Sequence, residues 1–195
     1  MKNTLNNNHK SNYKWFFNFV FQDWRANKGN IKGRLVLLLF RIANFCCTRK
    51  IYYYLGFIYL VFYKILVEWF FSMEIPWNTR IGKNFILYHG QATVLNNQVV
   101  IGENCVLRQC TTIGNKVFED GSISKSPVIG NHVEIGCNVI IIGAITIGNH
   151  VRIGAGAVVV KSIPDNCIAV GNPARIINKT IPGTNQVKMA ASPTT

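Results

Sequence analysis

Four histidines are spread along the chain, and two of them sit in a repeated pentapeptide. The string IGNHV occupies 129–133 and again 147–151, so His132 and His150 hold the same place in identical surroundings. Imidazoles at a fixed repeat can hold a metal ion or decorate a recurring turn. Zinc asks for three or four ligands in a tetrahedral array, and no third ligand recurs with this pair. His132 and His150 therefore read as solvated turn residues stacked one above the other, with no metal called for. The six cysteines, Cys46, Cys47, Cys105, Cys110, Cys137 and Cys167, form no C-x-x-C and no pairing with histidine at zinc spacing. The N-terminus, MKNTLNNNHKSN, is polar and unlike a signal peptide. Reduced thiols in a cytoplasmic protein are the expectation.

A chain that repeats itself from Ile129 to Ile147 needs an element that returns to the same side at that interval. Ile-Gly pairs begin at positions that include 81, 101, 113, 129, 135, 147 and 153. From Ile129 the aliphatic position recurs at every sixth place through Ile135, Ile141, Ile147 and Ile153 to Val159. That period is neither helical nor the alternation of an amphipathic strand. It fits a hexapeptide solenoid, in which three short strands make one triangular coil and the pentapeptide recurs once per coil. Ile129 is then expected to stack on Ile147, and Ile135 on Ile153. β-Branched Ile and Val fill a narrow core between stacked strands, and Gly and Asn suit corners that need positive φ.

The hexapeptide register slips between Thr93 and Ile101, and again between Ile113 and Ile129. The second slip holds NKVFEDGSISKSP, polar and rich in Gly and Ser with a closing Pro. A loop over 115–127, thrown out of its coil and bordering a site, is expected there. The solenoid domain spans 74–178 and closes with SIPDNCIAVGNPARII; residues 179–195 are expected to form an unstructured tail.

Positions 1–80 carry 12 Lys and Arg against three acids, whereas 81–195 carry nine against five. A basic half implies an anionic neighbour. Nucleic acid is disfavoured, because the basic residues are scattered among Leu, Phe and Tyr with no reading motif. Residues 1–21 form a basic arm and 22–73 an apolar helical segment containing GRLVLLLFRIANFCC and KIYYYLGFIYLVFYKILVEWFF. In the second string the uncharged run is 51–63, short of the roughly 18–20 residues that a membrane span needs. Two readings stay open for this segment. The helices pack on the solenoid and on each other in an oligomer, or they touch a membrane interface with basic flanks and Trp and Tyr girdles.

Three stretches together, DWRAN…LLFRIANF, EIPWNTRIGKNFILYHG and the run PVIGNHVEIG…AVGNPARI, resemble the serine acetyltransferase family of left-handed β-helix acyltransferases. Within that family the likeness is greatest to the colanic-acid and capsule-type O-acetyltransferases, and it covers about residues 22–178. The resemblance implies a mostly β fold, a left-handed parallel β-helix preceded by an α-helical segment. It also implies acetyl-CoA as co-substrate, no metal, and a homotrimer. At the position of His89 the family has its general base, and at that of Glu74 a carboxylate that orients it. An acceptor hydroxyl is a poor nucleophile until a base takes its proton, a task suited to imidazole near neutral pH. A carboxylate on the far ring nitrogen fixes the tautomer and stabilises the imidazolium. The spacing from Glu74 to His89, close to one coil, is expected to bring both side chains to one edge of the prism.

By the same resemblance Gly136, Cys137, Gly154 and Ala155 flank the coenzyme, and Lys161 and Arg175 lie near its phosphates. The departures concern the acceptor. Serine acetyltransferases have Asp directly before the catalytic histidine, where this chain has Tyr88. They have a second histidine before the Pro that closes the loop, where this chain has Ser126. Those groups recognise the charges of serine, so a sugar hydroxyl is the expected acceptor, met by Tyr88, Trp77, Gln109 and Ser126. The expected function is O-acetylation of a sugar in a bacterial surface polysaccharide or its precursor, in the cytoplasm or at the inner face of the membrane. Serine O-acetylation is the alternative within enzymes. A non-catalytic solenoid would show flat rows of exposed Thr, and only Thr111 and Thr112 lie near such a row.

Overall fold

The computed structural model describes residues 14–178. The expected tail, 179–195, and residues 1–13 of the expected arm lie outside the described residues. A short helix over 14–20 (α1) leads through a string of turns to α2 (Ile31–Cys46). Asn30 caps α2 by accepting from the Gly33 N–H at 2.9 Å. Val36, Leu37, Phe40 and Ala43, spaced at helical intervals, are its buried face.

The second apolar string is helical but broken. It forms α3 (Lys50–Leu55), α4 (Phe57–Tyr63) and a π-helical stretch, Lys64–Phe70. Gly56 marks the break. A Cβ there would stand 2.6 Å from the Cys46 sulfur, so only glycine lets this junction close on the end of α2. Glycine is also about 1 kcal/mol less favourable than alanine inside a helix, which weakens continuation across it. Leu60, Tyr63 and Val67 face inward. The Tyr63 hydroxyl donates to the Ile75 carbonyl at 2.7 Å, tying this segment to the first coil.

From Met73 the chain winds into parallel strands on three faces. One face holds β1 (Met73–Glu74), β4 (Thr93–Leu95), β7 (Thr112–Gly114), β10 (Ile140–Ile142) and β13 (Val158–Val159). A second holds β2 (Arg80–Ile81), β5 (Val100–Ile101), β8 (Val128–Ile129) and β11 (Thr146–Ile147). The third holds β3 (Ile86–Tyr88), β6 (Val106–Arg108), β9 (Glu134–Ile135), β12 (Arg152–Ile153) and β14 (Cys167–Val170). A final strand, β15 (Arg175–Asn178), turns back antiparallel on β14. Ile129 pairs with Ile147 and Ile135 with Ile153, as the repeat requires. At the corner between the second and third faces, Asn84, Asn104, His132, His150 and Asn166 all take φ of 56–59°. The His132 and His150 rings stack there at 4.7 Å and 5°.

The register differs from expectation at one point. Leu95, six before Ile101, is the buried core residue of its coil, so nothing slips between Thr93 and Ile101. Thr93 is buried as well, because residues two apart in a strand share a face, and it imitates the core position. The insertion lies earlier. Leu87 and Leu95 are eight apart, and the two extra residues widen the corner that carries His89. The loop over 115–127 does leave its coil, pinned by an antiparallel bridge between Val117 and Ile123. One further irregularity was not foreseen: Val159 is followed by core residue Ile163 after only four positions, and Ile163 bridges to Ile147.

A solenoid must cover the free backbone of its first coil, or present it as a sticky edge. Here polar side chains of the helical half do so. Arg41 donates to the carbonyls of Ile81 and Gly82, both at 2.7 Å, and to Asp23 at 2.7 Å. Asp23 in turn accepts from the Phe85 N–H at 2.8 Å. Asn27 donates to the Phe85 carbonyl and accepts from the Leu87 N–H, and Asn30 donates to the Leu87 carbonyl. Asn44 donates to the carbonyls of Trp77 and Thr79. Asp23 and Arg41 are 3% and 2% exposed, and removing one ion of such a pair leaves the other buried alone. Asp23→Ala is therefore expected to cost about 3–5 kcal/mol in urea unfolding, enough to cripple a domain of ordinary stability. A change below about 1 kcal/mol would show that the pair does not anchor the cap.

Candidate active site

His89 stands at the widened corner between β3 and β4, with φ of 65° and its side chain exposed. Gly90 follows at φ 75° and Ala92 at φ 53°. Left-handed conformations at non-glycine residues are unfavourable and persist where surrounding bonds enforce them. The bonds are present. The Ala92 N–H donates to the Ser72 carbonyl at 2.8 Å, and the Cys110 N–H donates to the Gln91 carbonyl at 2.8 Å. With its amide turned to satisfy both ends, Gln91 donates to the His89 carbonyl at 2.9 Å and accepts from Lys32 at 2.7 Å. A residue of α2 thus helps to hold the corner.

Two concavities lie on the faces that this corner joins. A groove of about 530 Å³ runs down the third face, lined by Tyr88 and Arg108 at one end and by Gly136, Cys137, Gly154 and Ala155 at the other. Arg108 lies over the Tyr88 ring at 4.9 Å. Lower in the groove Arg152 is neutralised by Glu134, with contacts of 2.9 and 3.2 Å. On the first face a cleft of about 400 Å³ gathers Glu74, Trp77, Glu68, Lys64 and Asn96. Burial pushes the Glu68 carboxyl above its usual range; Lys64 opposes the shift and Glu74 adds to it.

The candidate residues are thereby sorted. Tyr88, Gly136, Cys137, Gly154 and Ala155 share the groove, whereas Lys161 and Arg175 are exposed outside its lining. Glu74 and Trp77 share the cleft. Ser126 borders it, being 7% exposed with its hydroxyl donating to Asn96 at 3.0 Å. His89 lines neither concavity, though Tyr88 beside it lines the groove, and no hydrogen bond joins its ring to Glu74. The link between their neighbours is one side chain: Gly90 lies against the tip of Met73, the residue before Glu74. Gln109 occupies the same corner one coil on, and its Oε1 is buried without a partner.

The glycines of the groove have a structural reason of their own. A Cβ at Gly136 would stand 2.6 Å from the Ala155 nitrogen, and one at Gly154 would stand 2.8 Å from Val170. Close coil stacking requires them, and the slender floor they leave suits an extended thioester arm. Among the described residues no group of three or more His, Cys, Asp or Glu could hold a metal ion.

A family model for bacterial transferase hexapeptides, six repeats, matches residues 126–161. The chain is 40% identical over 161 residues to a protein of Escherichia coli K12 named as colanic acid biosynthesis acetyltransferase WcaB, covering 80% of this chain and 98% of that one. The chain belongs to the hexapeptide-repeat acetyltransferases. Serine acetyltransferase 1 of Arabidopsis thaliana is 42% identical over 107 residues, which are 55% of this chain and 33% of that longer protein. Among solved structures, soybean serine acetyltransferase superposes with TM-score 0.70 and 29% identity, covering 87% of this chain and 72% of that one. The Brucella abortus serine acetyltransferase in complex with coenzyme A gives 0.71 and 26%, covering 88% and 70%. This acetyltransferase is an acetyl-CoA-dependent enzyme on a left-handed parallel β-helix with a helical N-terminal segment.

Arg108, Glu134 and Arg152 escaped the sequence reading of the acetyltransferase, although a signal was present. Tyr88 and Arg108 each follow a core leucine, and Glu134 and Arg152 each precede a core isoleucine, so all four must face outward. Lys32 and Gln91 carried no such signal.

The Gly90 contact can be tested. A Cβ there would lie 2.7 Å from Met73 Sδ and Cε at positive φ, whereas Gly121, also at positive φ, has open space around it. Gly121→Ala bears only the backbone cost of about 1–2 kcal/mol. Gly90→Ala is expected to lower the thermal midpoint further, because the fully buried tip of Met73 must repack as well. Equal midpoints for the two variants would contradict this account.

Proposed function

We propose that this acetyltransferase transfers the acetyl group of acetyl-CoA to a sugar hydroxyl of a bacterial surface polysaccharide, or of its precursor, with His89 as general base. The observation that carries the reading is the place of His89: an exposed imidazole, held at φ 65° on a two-residue insertion, next to the end of the groove. A base must stand free to reach the acceptor proton. No described side chain occupies the His89 ring.

Acetyl-CoA supplies an activated acyl carbon bound to sulfur. A ring nitrogen of His89 takes the hydroxyl proton as the acceptor oxygen bonds to that carbon. The carbon–sulfur bond then breaks, and the proton passes to the departing sulfur. Glu74, at the position of the family's orienting carboxylate, is assigned to support the imidazolium. The groove holds the pantetheine arm against Gly136, Cys137, Gly154 and Ala155, with Lys161 and Arg175 nearer the phosphates. Tyr88, Trp77, Gln109 and Ser126 form the acceptor side. Gln109 belongs here by its place, at the corner of His89 one coil on. Ser126 acts through Asn96, to which it is bonded.

Serine O-acetylation is the second reading, favoured by the serine acetyltransferase relatives. Against it stands the acceptor side. A zwitterion stripped of water needs partners for both charges, and Tyr88 and Ser126 offer neither. The likeness to a protein named for colanic acid biosynthesis supports the sugar reading. The enzyme works in the cytoplasm, as a homotrimer in which a neighbouring prism supplies the second wall of the open groove.

Two measurements test this reading. His89→Ala is expected to lower acetyl transfer by about 10²–10⁴ with coenzyme A binding retained, and Glu74→Gln to lower it less. Near wild-type turnover in His89→Ala would remove the assignment. Polysaccharide from cells with and without the protein is expected to differ by O-acetyl groups in NMR, while free L-serine is a poor acceptor. Efficient acetylation of serine together with unchanged polysaccharide would favour the second reading. Light scattering is expected to give three times the chain mass at micromolar concentration, and a fully active monomer would overturn the trimer.

A further inference from the structure

The surface least explained by acetyl transfer is the outer side of α3, α4 and the π-helical stretch. Leu55 is 79% exposed, Ile58 84%, Trp69 76% and Phe70 75%, with Tyr54 and Phe57 beside them. Isolated exposed hydrophobes are ordinary, but a contiguous run marks an interaction surface. Its charge pattern narrows the partner. Between Asp23 and Glu68 the sequence has no acidic residue, while Arg25, Lys28, Lys32, Arg34, Arg41, Arg49, Lys50 and Lys64 are basic. Arg49, Lys50 and Lys64 flank the apolar run and are exposed.

We propose that this face docks the enzyme onto an anionic lipid bilayer, with α3 and α4 lying in the headgroup layer. Among the described residues no helix is long and apolar enough to cross a membrane. The break at Gly56 leaves two short pieces that can lie flat but cannot span. Aromatic and aliphatic side chains beside Lys and Arg are the composition of interfacial helices, which bury an apolar face while cations meet the headgroups. A second copy of the chain fits less well. It would bring Arg49 and Lys50 of each copy together on a surface where Glu68, the acid of the π-helical stretch, is already paired with Lys64 at 3.7 Å, and like charges at a contact are repulsive. A bilayer containing phosphatidylglycerol offers the complementary sign, and several copies in an oligomer add their attachments. His89 lies in the first coil, the end of the prism that the helices cap, so docking holds that corner close to the lipid surface. The docking stands apart from the acetyl-transfer reading, and each can fail while the other holds.

Flotation of the full-length protein with vesicles tests the proposal. Expected is flotation with phosphatidylcholine–phosphatidylglycerol vesicles, weakened by salt, and little or none with phosphatidylcholine alone. The exposed changes Leu55→Glu with Ile58→Glu should abolish flotation while leaving the thermal midpoint and transfer to a small soluble acceptor unchanged. Lys50→Ala should weaken binding at least about five-fold. Wild-type protein that stays at the bottom of the gradient at both low and physiological salt overturns the proposal. So does flotation that survives the double change. A wild-type oligomer that fails to float, and that Leu55→Glu with Ile58→Glu splits into smaller species, would assign the face to a second copy instead.

Discussion

The fold depends on how one end of a parallel coil is closed. Every strand of the first coil has a neighbour on one side only, and its backbone groups must bond to something or remain sticky. The Asp23–Arg41 pair answers this from the helical half. Arg41 spreads its guanidinium over the carbonyls of Ile81 and Gly82, and Asp23 takes the Phe85 N–H. Buried ions are unfavourable alone, and here each has the other and the coil backbone as partners. Asn27, Asn30 and Asn44 complete the cover with side-chain amides that imitate a further strand. The helical segment is thereby locked to the first coil, and Lys32 of α2 reaches the Gln91 side chain of the His89 corner.

That corner shows why a regular solenoid can carry chemistry. At the corner between the second and third faces the turn is uniform, and the positive-φ position falls to Asn or His in one stack. At His89 two additional residues swing the chain outward and lift an imidazole off the prism. The strain at His89 and Ala92 is held by neighbours on both sides: Ser72 before it and Cys110 on the next coil. Rigid coils below and the helical cap above fix the position of an otherwise exposed side chain. The groove beside it owes its small residues to coil stacking, so a floor narrow enough for a thioester arm comes with the architecture.

How much of this could be read beforehand varies with the range of the interaction. Pairs such as Ile129 with Ile147 were legible, since the repeat writes the same local demand in each hexapeptide. The extruded loop was legible because polar, Gly-rich sequence interrupts that repeat. The place of the two-residue insertion was not, since Thr93 and Leu95 both point inward and either satisfies the pattern. Nor was the break at Gly56, whose reason is the Cys46 sulfur on another helix.

The chain carries its period in plain view, and with it the parallel coils, the inward Ile and Val, and the outward side chains beside them. Family motifs added the candidates at His89 and Glu74. These are local signals, because each coil repeats its environment and a residue's role follows from its place in the hexapeptide. The tertiary structure alone decided which distant groups meet. It set Asp23 on Phe85, Lys32 on Gln91, and Gly90 on Met73. It also divided the candidates between a groove on the third face and a cleft on the first. Such contacts join elements with different periods, and no repeat in the chain encodes where a helix will come to rest against a coil.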